Sequence, residues 1–384
     1  MDRKIVIAVV GCGYWGPNLL RNFHSLSDCE VKWVCDRDSK RLAHMKNLYP
    51  SVETTKEFER IVEDKDVDAV VVSTPVHLHY DLAKKSLEAG KHTFVEKPMT
   101  QTSEQGTELV QLATKSLEAG KHTFVEKPMT QTSGQGNELV QLATKKKLTL
   151  MVGHTFIYSA PVRRIKEIVK AGDIGEIQYI ASRRLNLGLF QKDINVAWDL
   201  APHDISIILY LLGRAPLSVN CQGKAHVHKD IEDVTNMTLN FDNGGFATIH
   251  SSWLDPNKVR QMTIVGSKRM IVYDDNEPLE KIKIYDKRVE TPPHYDTFAE
   301  FHYSYHYGDM YAPYIKQVEP LKVECQHFLD CIRTGKRPET NGLDGLRVIQ
   351  ILEASSLSLR NGGGMVEIDL SLGTADVAAY GAAK

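Results

Sequence analysis

The sequence predicts an α/β protein in two domains. A parallel sheet with crossover helices runs to about residue 153, and an α+β half built on a large, mostly antiparallel, open sheet follows. Three observations predict it. Apolar runs of strand length alternate with helix-period stretches through the amino-terminal part. Beyond Gly153 the runs lengthen, alternate in polarity and are joined by hairpin signals. Residues 86–115 recur as residues 116–145, with only Glu104 replaced by Gly134 and Thr107 by Asn137, so one strand-bearing unit occurs twice.

The first strand is Ile5 to Val10, followed by a glycine turn and a helix through Asn18 to Phe23. Val31 to Cys35 and Ala69 to Ser73 follow, the latter unbroken in apolar character up to its serine, as suits a strand covered on both faces. His92 to Val95 and Leu148 to Val152 complete this half. In the second half Asp242-Asn243-Gly244-Gly245 separates Met237 to Phe241 from Phe246 to Ser251, a hairpin cue. Further strands are expected at Ile177 to Leu187, Val219 to Val227, Met262 to Val265 and Ile282 to Tyr285. Helices are expected at Val162 to Ala171, Ile205 to Leu212, Leu321 to Ile332 and Leu346 to Leu357. The domain boundary falls at 153/154, giving domains 1–153 and 154–384.

With 384 residues, 42% hydrophobic and 25% charged, the chain is long enough for two or three cored domains. A net charge of −2 supplies no global field for nucleic acid or an anionic membrane surface, so neither is expected as a partner. The six cysteines lack zinc-site spacing and read as reduced, mostly buried thiols. The apolar run at Ile5 is too short for a signal peptide or membrane span, and a cytoplasmic protein is expected.

Gly11-Cys12-Gly13-Tyr14-Trp15-Gly16 follows a strand and opens a helix. Its glycines permit a tight turn and close approach of backbone amides to a pyrophosphate resting on the helix N-terminus. Asp36 stands at the end of the second strand, where an acid suits the paired ribose hydroxyls of NAD. Arg37 beside it would accept the extra phosphate of NADP, which Asp36 repels; NAD is favoured, with NADP use open. Otherwise Arg37 is a solvated charge. Ser73-Thr74-Pro75 ends a strand at the carboxyl edge, and with His79 it is a candidate for cofactor contact. His77 reads as helix-start packing.

Asp199 and His203 are four apart, so on a helical turn they share a face and can converge on one ligand. A histidine with a neighbouring carboxylate is a plausible general base near neutral pH. The plainer reading has Asp199 capping the helix and His203 as an ordinary residue of its first turn.

Together the glycine motif, Ser73-Thr74-Pro75, Glu96-Lys97-Pro98 and Asp199 with His203 resemble the glucose-fructose oxidoreductase, inositol dehydrogenase and MocA (Gfo/Idh/MocA) family of NAD(P)-dependent oxidoreductases, over nearly the whole chain. Glu319-Pro320-Leu321 through Cys325 and Gly342 to Leu346 look like members acting on nucleotide sugars, UDP-sugar 3-dehydrogenases among them. The resemblance implies a Rossmann domain, with Glu96 and Lys97 at the cofactor. It also implies hydride transfer between nicotinamide and a carbinol carbon of a sugar, nucleotide sugar or cyclitol. His203 would take or return the hydroxyl proton, the lysine would hold that oxygen, Asp199 would orient substrate and histidine, and no metal would be required.

The repeat departs from the family pattern, because Glu-Lys-Pro occurs again at Glu126-Lys127-Pro128. One copy must leave its family position or join the fold as an extra unit. Thr102-Ser103-Glu104-Gln105 reads as a capping box with an acid in the first turn, whereas Gly134 costs about 1 kcal/mol there. That favours Lys97 as the catalytic lysine, with Lys127 as the alternative.

His154, Tyr158, Arg183, Arg184 and Lys192 lie where substrate would be met, Arg184 being the one carried forward; the competing reading is a solvated basic face. Tyr303 to Tyr314 suit a substrate loop or an oligomer contact. An open sheet left uncovered predicts a homodimer or homotetramer. Two other functions stay open: redox-neutral elimination or glycoside cleavage with a tightly held NAD, and a non-catalytic NAD- or sugar-binding protein.

Overall fold

The computed structural model describes residues 3–75, 78–95, 111, 113–290 and 304–373. The chain divides into two compact units, Met1–Tyr158 with Val318–Gln350 and Asp369–Lys384, and Ser159–Gln317 with Ile351–Ile368. A single boundary at 153/154 was expected; Val318–Gln350 and Asp369–Lys384 group with the first unit, and Ile351–Ile368 with the second.

In chain order the first unit begins β1 (Ile5–Val10), α1 (Gly16–His24), β2 (Cys29–Cys35), α2 (Ser39–Leu48), β3 (Glu53–Thr55), α3 (Glu59–Glu63) and β4 (Ala69–Val72). It continues α4 (His79–Glu88), β5 (His92–Val95), α5 (residues 113–118), β6 (Thr123–Glu126), α6 (Ser133–Lys146), β7 (Leu150–Gly153) and a 3₁₀ turn at Thr155–Tyr158. The second unit follows with α7 (Ala160–Lys170), β8 (Ile177–Leu185), α8 (Val196–Leu212), β9 (Ser218–Lys224), β10 (Val234–Asn240) and β11 (Phe246–Ser252). Next come β12 (Val259–Gly266), β13 (Met270–Asp274), β14 (Ile282–Glu290) and β15 (Ser304–Tyr311). Then come α9 (Pro320–Thr334), α10 (Gly342–Arg360) and β16 (Val366–Glu367).

The first unit is a seven-stranded, wholly parallel sheet in the order β3-β2-β1-β4-β5-β6-β7. β1 and β4 are buried at every position, as strands covered by crossover helices must be. Pro17 sits in the first turn of α1, where its missing N–H costs nothing, and Asp38 caps α2 by accepting from Lys40 and Arg41 amides.

Both copies of the repeat contribute a strand. β5 and β6 pair in a register that sets Thr93 against Thr123, Phe94 against Phe124 and Val95 against Val125, so identical residues face one another. Phe94 and Phe124 stack with centroids 4.0 Å apart, and Phe328 of α9 meets both edge-on. The turn before each strand is the same: Gly90 and Gly120 have φ of 76° and 72°, and Lys91 and Lys121 amides bond back to Ser86 and Ser116 carbonyls. At the strand entrances the His122 amide donates to His92 Nδ1 at 3.3 Å, and the Thr149 amide donates to His122 Nδ1 at 3.0 Å. Each copy thus offers its neighbour an equivalent edge. The second copy also forms the capping box in full, Thr132 and Gln135 bonding reciprocally despite Gly134. The box expected at Thr102 to Gln105 lies outside the described residues.

The second unit carries a nine-stranded sheet, β15-β14-β13-β12-β8-β11-β10-β9-β16. Its pairs are antiparallel except β8 with β11. The expected hairpin joins β10 to β11, with Gly244 at φ 77° supplying the left-handed residue. The tyrosine run becomes the edge strand β15, with Tyr305 and Tyr307 exposed; Tyr303 lies outside the described residues. All six cysteines are buried and unbridged. Among the described residues no helix is long and apolar enough to cross a membrane.

Candidate active site

The glycine turn is built for close backbone approach. Gly11 has φ of 99°, and a Cβ there would meet the Ser73 carbonyl oxygen at 2.7 Å. A Cβ on Gly16 would lie 1.9 Å from the Gly11 carbonyl oxygen. Those two glycines are therefore demanded by the fold of the turn. Gly13 differs: its nearest neighbour would be Arg41 Nη1 at 3.8 Å, so its missing side chain leaves open space in front of the turn. That room is what a pyrophosphate needs at the N-terminus of α1, and the residues present fit a dinucleotide. Trp15 is the N-cap residue of α1, and Tyr14, 93% exposed, stacks on it.

Asp36 closes the turn from β2. Its carboxylate accepts from the Cys12 amide at 2.6 Å and the Asp38 amide at 2.8 Å, with Arg41 Nη1 3.8 Å away. Arg37 is exposed. Ser73 Oγ donates to the Gly11 carbonyl at 2.9 Å, tying the end of β4 to the glycine turn. Thr74 Oγ1 is buried with no hydrogen-bond partner among the described residues, and Pro75 is exposed. His79 is buried, and its Nε2–H donates to the Thr74 carbonyl at 2.7 Å, which fixes the tautomer and the turn. His77 lies outside the described residues.

At the end of β6, Glu126 and Lys127 are buried, and the Lys127 amide donates to Glu126 Oε2 at 3.2 Å. The Glu126 carboxylate covers Gly153 of β7 so closely that a Cβ there would meet Oε1 at 2.5 Å. His154, 1% exposed, follows; neither ring nitrogen has a hydrogen-bond partner among the described residues. Burial first, and then the Lys127 charge, push its pKa down to about 3. Glu96, Lys97 and Pro98 lie outside the described residues.

In the second unit α8 starts nine residues ahead of the expected Ile205, at Val196, because Asn195 caps it by accepting from the Trp198 amide and Pro202 is accommodated within. Asp199 and His203 therefore occupy successive turns of one helix face. Asp199 does not cap α8; its Oδ2 accepts from Trp253 Nε1 at 3.0 Å. Trp253 is 1% exposed and braced by Phe190 and Gly188, where a Cβ would strike its ring at 2.7 Å. Sequence reasoning passed over Trp253, since no local signal links β11's end to a helix 54 residues earlier.

Arg184 is 5% exposed rather than solvated. Its Nε lies 2.7 Å from Asp204 Oδ2 and its Nη2 3.2 Å from Oδ1, while Ser182 Oγ donates to Oδ1 at 2.8 Å. The pair fixes α8 to β8 one residue past His203. The signal was available: Ile180, Ser182 and Arg184 alternate on one buried face of β8. Arg183 and Lys192 are exposed, and Tyr158 is buried with its hydroxyl 2.9 Å from Thr340 Oγ1.

Known proteins resemble this chain over most of its length. A model described as the oxidoreductase family with NAD-binding Rossmann fold (GFO_IDH_MocA) matches residues 5–116 and again 111–154, the two stretches meeting at the junction between the copies. The family's C-terminal domain matches residues 162–272. UDP-N-acetylglucosamine 3-dehydrogenase of Acidithiobacillus ferrooxidans is 23% identical, covering 92% of this chain and 95% of that protein. The NAD-dependent scyllo-inositol 2-dehydrogenase of Bacillus subtilis is 22% identical, covering 94% and 96%. The solved structure of GenD2 from gentamicin A biosynthesis, in complex with NAD, superposes with a TM-score of 0.67 at 18% identity, covering 96% of this chain and 97% of that one.

Proposed function

The chain belongs to the GFO/IDH/MocA family of NAD-binding oxidoreductases, and from that premise we propose that it moves a hydride between nicotinamide and a carbinol carbon of a sugar, nucleotide sugar or cyclitol. The observation that carries the reading is the pairing of Asp199 and His203 on one face of α8, with Asp199 oriented by buried Trp253. Relatives named for UDP-N-acetylglucosamine and scyllo-inositol support the substrate class.

Bound NAD supplies the hydride acceptor. His203 takes the hydroxyl proton on oxidation and returns it on reduction, the general acid–base role open to an imidazole. Asp199 orients the imidazole and a substrate hydroxyl. The lysine of a Glu-Lys-Pro turn is assigned, on the family resemblance, a charged hydrogen bond to the reacting oxygen. Asp36 favours the paired ribose hydroxyls of NAD over the 2′-phosphate of NADP. The protein is assigned to the cytoplasm and to a homodimer or homotetramer, and a monomeric mass by light scattering at micromolar concentration would contradict the latter.

The experiment is NAD reduction across nucleotide sugars, free sugars and inositols, with His203→Ala alongside. The substitution should lower kcat by about 10²-fold or more while NADH still binds. Unchanged turnover would remove His203 from the mechanism. Product formed without net NADH would transfer the assignment to redox-neutral chemistry.

A further inference from the structure

The proposed reaction makes no use of the loop between β9 and β10, yet that loop is bonded to the start of α8, whose first turn carries Asp199. The Glu232 carbonyl accepts from the Val196 amide at 2.9 Å, and the Glu232 carboxylate accepts from Asn195 Nδ2 at 2.8 Å. A second tie runs through Trp253, whose amide donates to the Asp233 carbonyl at 2.9 Å while its indole donates to Asp199. The loop after β8 joins them. The Gly188 amide donates to the Trp253 carbonyl at 3.0 Å, and Phe190 meets the Trp253 and His228 rings edge-on. These loops share one end of the second unit's sheet, where β9, β10 and β11 are neighbours, so His226 stands one to two strand spacings, about 5–10 Å, from the Trp253 end of β11.

The imidazole of His226 is held by a buried group. Asp233, 1% exposed, accepts from His226 Nδ1 at 2.7 Å and from the His226 and Val227 amides at 2.7 and 2.9 Å. An ionised carboxylate only accepts, so Nδ1 carries a proton and Nε2 is the nitrogen left for a ligand, on a side chain that is 54% exposed. Around it Lys224-Ala225-His226-Val227-His228-Lys229 carries two exposed lysines and two histidines without a carboxylate. Of the acids that follow, Asp230 is exposed, and Glu232 and Asp233 are engaged within the fold. A net charge of −2 gives the chain no overall attraction for an anion, so a positive cluster acts locally. A merely solvated run of charge needs no buried carboxylate to orient one of its members.

Resting on the oxidoreductase reading above, we infer that Lys224, His226 and Lys229 form a phosphate subsite for a substrate whose reacting ring sits at Asp199, so that the chain acts on a phosphate-bearing sugar in preference to a free sugar or an inositol. The phosphate is that of a nucleotide sugar or of a sugar phosphate. An imidazole protonated at Nε2 donates to a phosphate oxygen with Asp233 as its counter-charge, and the two ammonium groups add point charges. The offset across the strands places the subsite beyond the reacting ring, where a substituent of that ring arrives.

Calorimetric titration of the NADH-saturated full chain with UDP and with glucose 1-phosphate tests the subsite without turnover. The parent should bind at least one of them; binding of UDP alone assigns a nucleotide sugar, and binding of glucose 1-phosphate alone a sugar phosphate. His226→Gln/Lys229→Gln, both exposed positions, should weaken that binding about 10-fold or more, as loss of a charged hydrogen bond does. Lys268→Gln, exposed in the turn after β12 at the opposite end of the sheet, should leave it within about twofold. No binding of either compound by the parent, or affinity in the double variant within about twofold of the parent, overturns the inference. Turnover gives a separate arm. On a phosphorylated substrate the double variant should raise KM about 10-fold with kcat little changed. A free sugar or inositol oxidised with higher kcat/KM than every phosphorylated compound overturns the inference and leaves the oxidoreductase reading intact. Should no compound be turned over, that reading fails, and the UDP and glucose 1-phosphate titrations still decide the subsite.

Discussion

Replacing Gly13 by alanine separates cofactor recognition from folding. A Cβ at Gly13 finds only Arg41 Nη1, at 3.8 Å, and its φ lies outside the left-handed region, so alanine fits the folded backbone. Stability should change by less than about 1 kcal/mol, with a small gain possible from the stiffer unfolded chain. The same methyl projects into the space through which a pyrophosphate approaches the backbone. Loss of one charge-assisted hydrogen bond there costs about 1.5–3 kcal/mol, a factor of about 10 to 150 in Kd. Gly16→Ala is the contrasting variant, because its Cβ would lie 1.9 Å from the Gly11 carbonyl oxygen and must displace the turn itself. Urea unfolding and NADH fluorescence titration measure the two effects. If Gly13→Ala binds NADH within about threefold of the parent, or loses stability as Gly16→Ala does, the placement of the cofactor on this turn is wrong.

Two further outcomes follow from buried charge. Arg184→Met strands Asp204 inside the second unit and should cost about 3–5 kcal/mol in urea unfolding, most of it recovered in Arg184→Met/Asp204→Leu; a loss below about 1 kcal/mol would show the pair to be peripheral. His92 is held neutral mainly by burial, helped by His122 and Lys121 against Asp68, with its pKa lowered from 6.5 to about 4. A lowered histidine pKa means that the unfolded chain binds the proton more readily, so this contribution is complete above pH 6.5 and is lost as pH falls toward 4. It amounts to at most about 3 kcal/mol. His92→Asn, which keeps an acceptor for the His122 amide, should flatten the fall in unfolding free energy across that window, and an unchanged slope would refute the assignment.

Much of the first unit was legible because its rules are local. β4 reads as a strand covered on both faces, the glycine turn sits between strand and helix, and Asp36 closes the next strand. The second unit was legible in its alternation and its hairpin, less so where a helix end depends on a cap. Asn195 starts α8 well before the apolar stretch that marked it, and Pro202 hid the continuity. Long-range partners left no trace. Trp253 reaches Asp199 and Arg184 reaches Asp204 through the fold, although period-two alternation on β8 did point Arg184 inward beside Ile180 and Ser182.

The repeat shows the same division most sharply. Its two copies are visible in the letters, and each contains a complete helix end, strand and helix start. What letters do not show is that the unit is compatible with itself. His92 accepts from the next strand's amide as His122 does, Phe94 stacks on Phe124, and each copy turns through a glycine of positive φ. A parallel strand presents the same hydrogen-bonding edge to any parallel neighbour, so a βα unit whose side chains also tolerate their own image can be added without breaking the sheet.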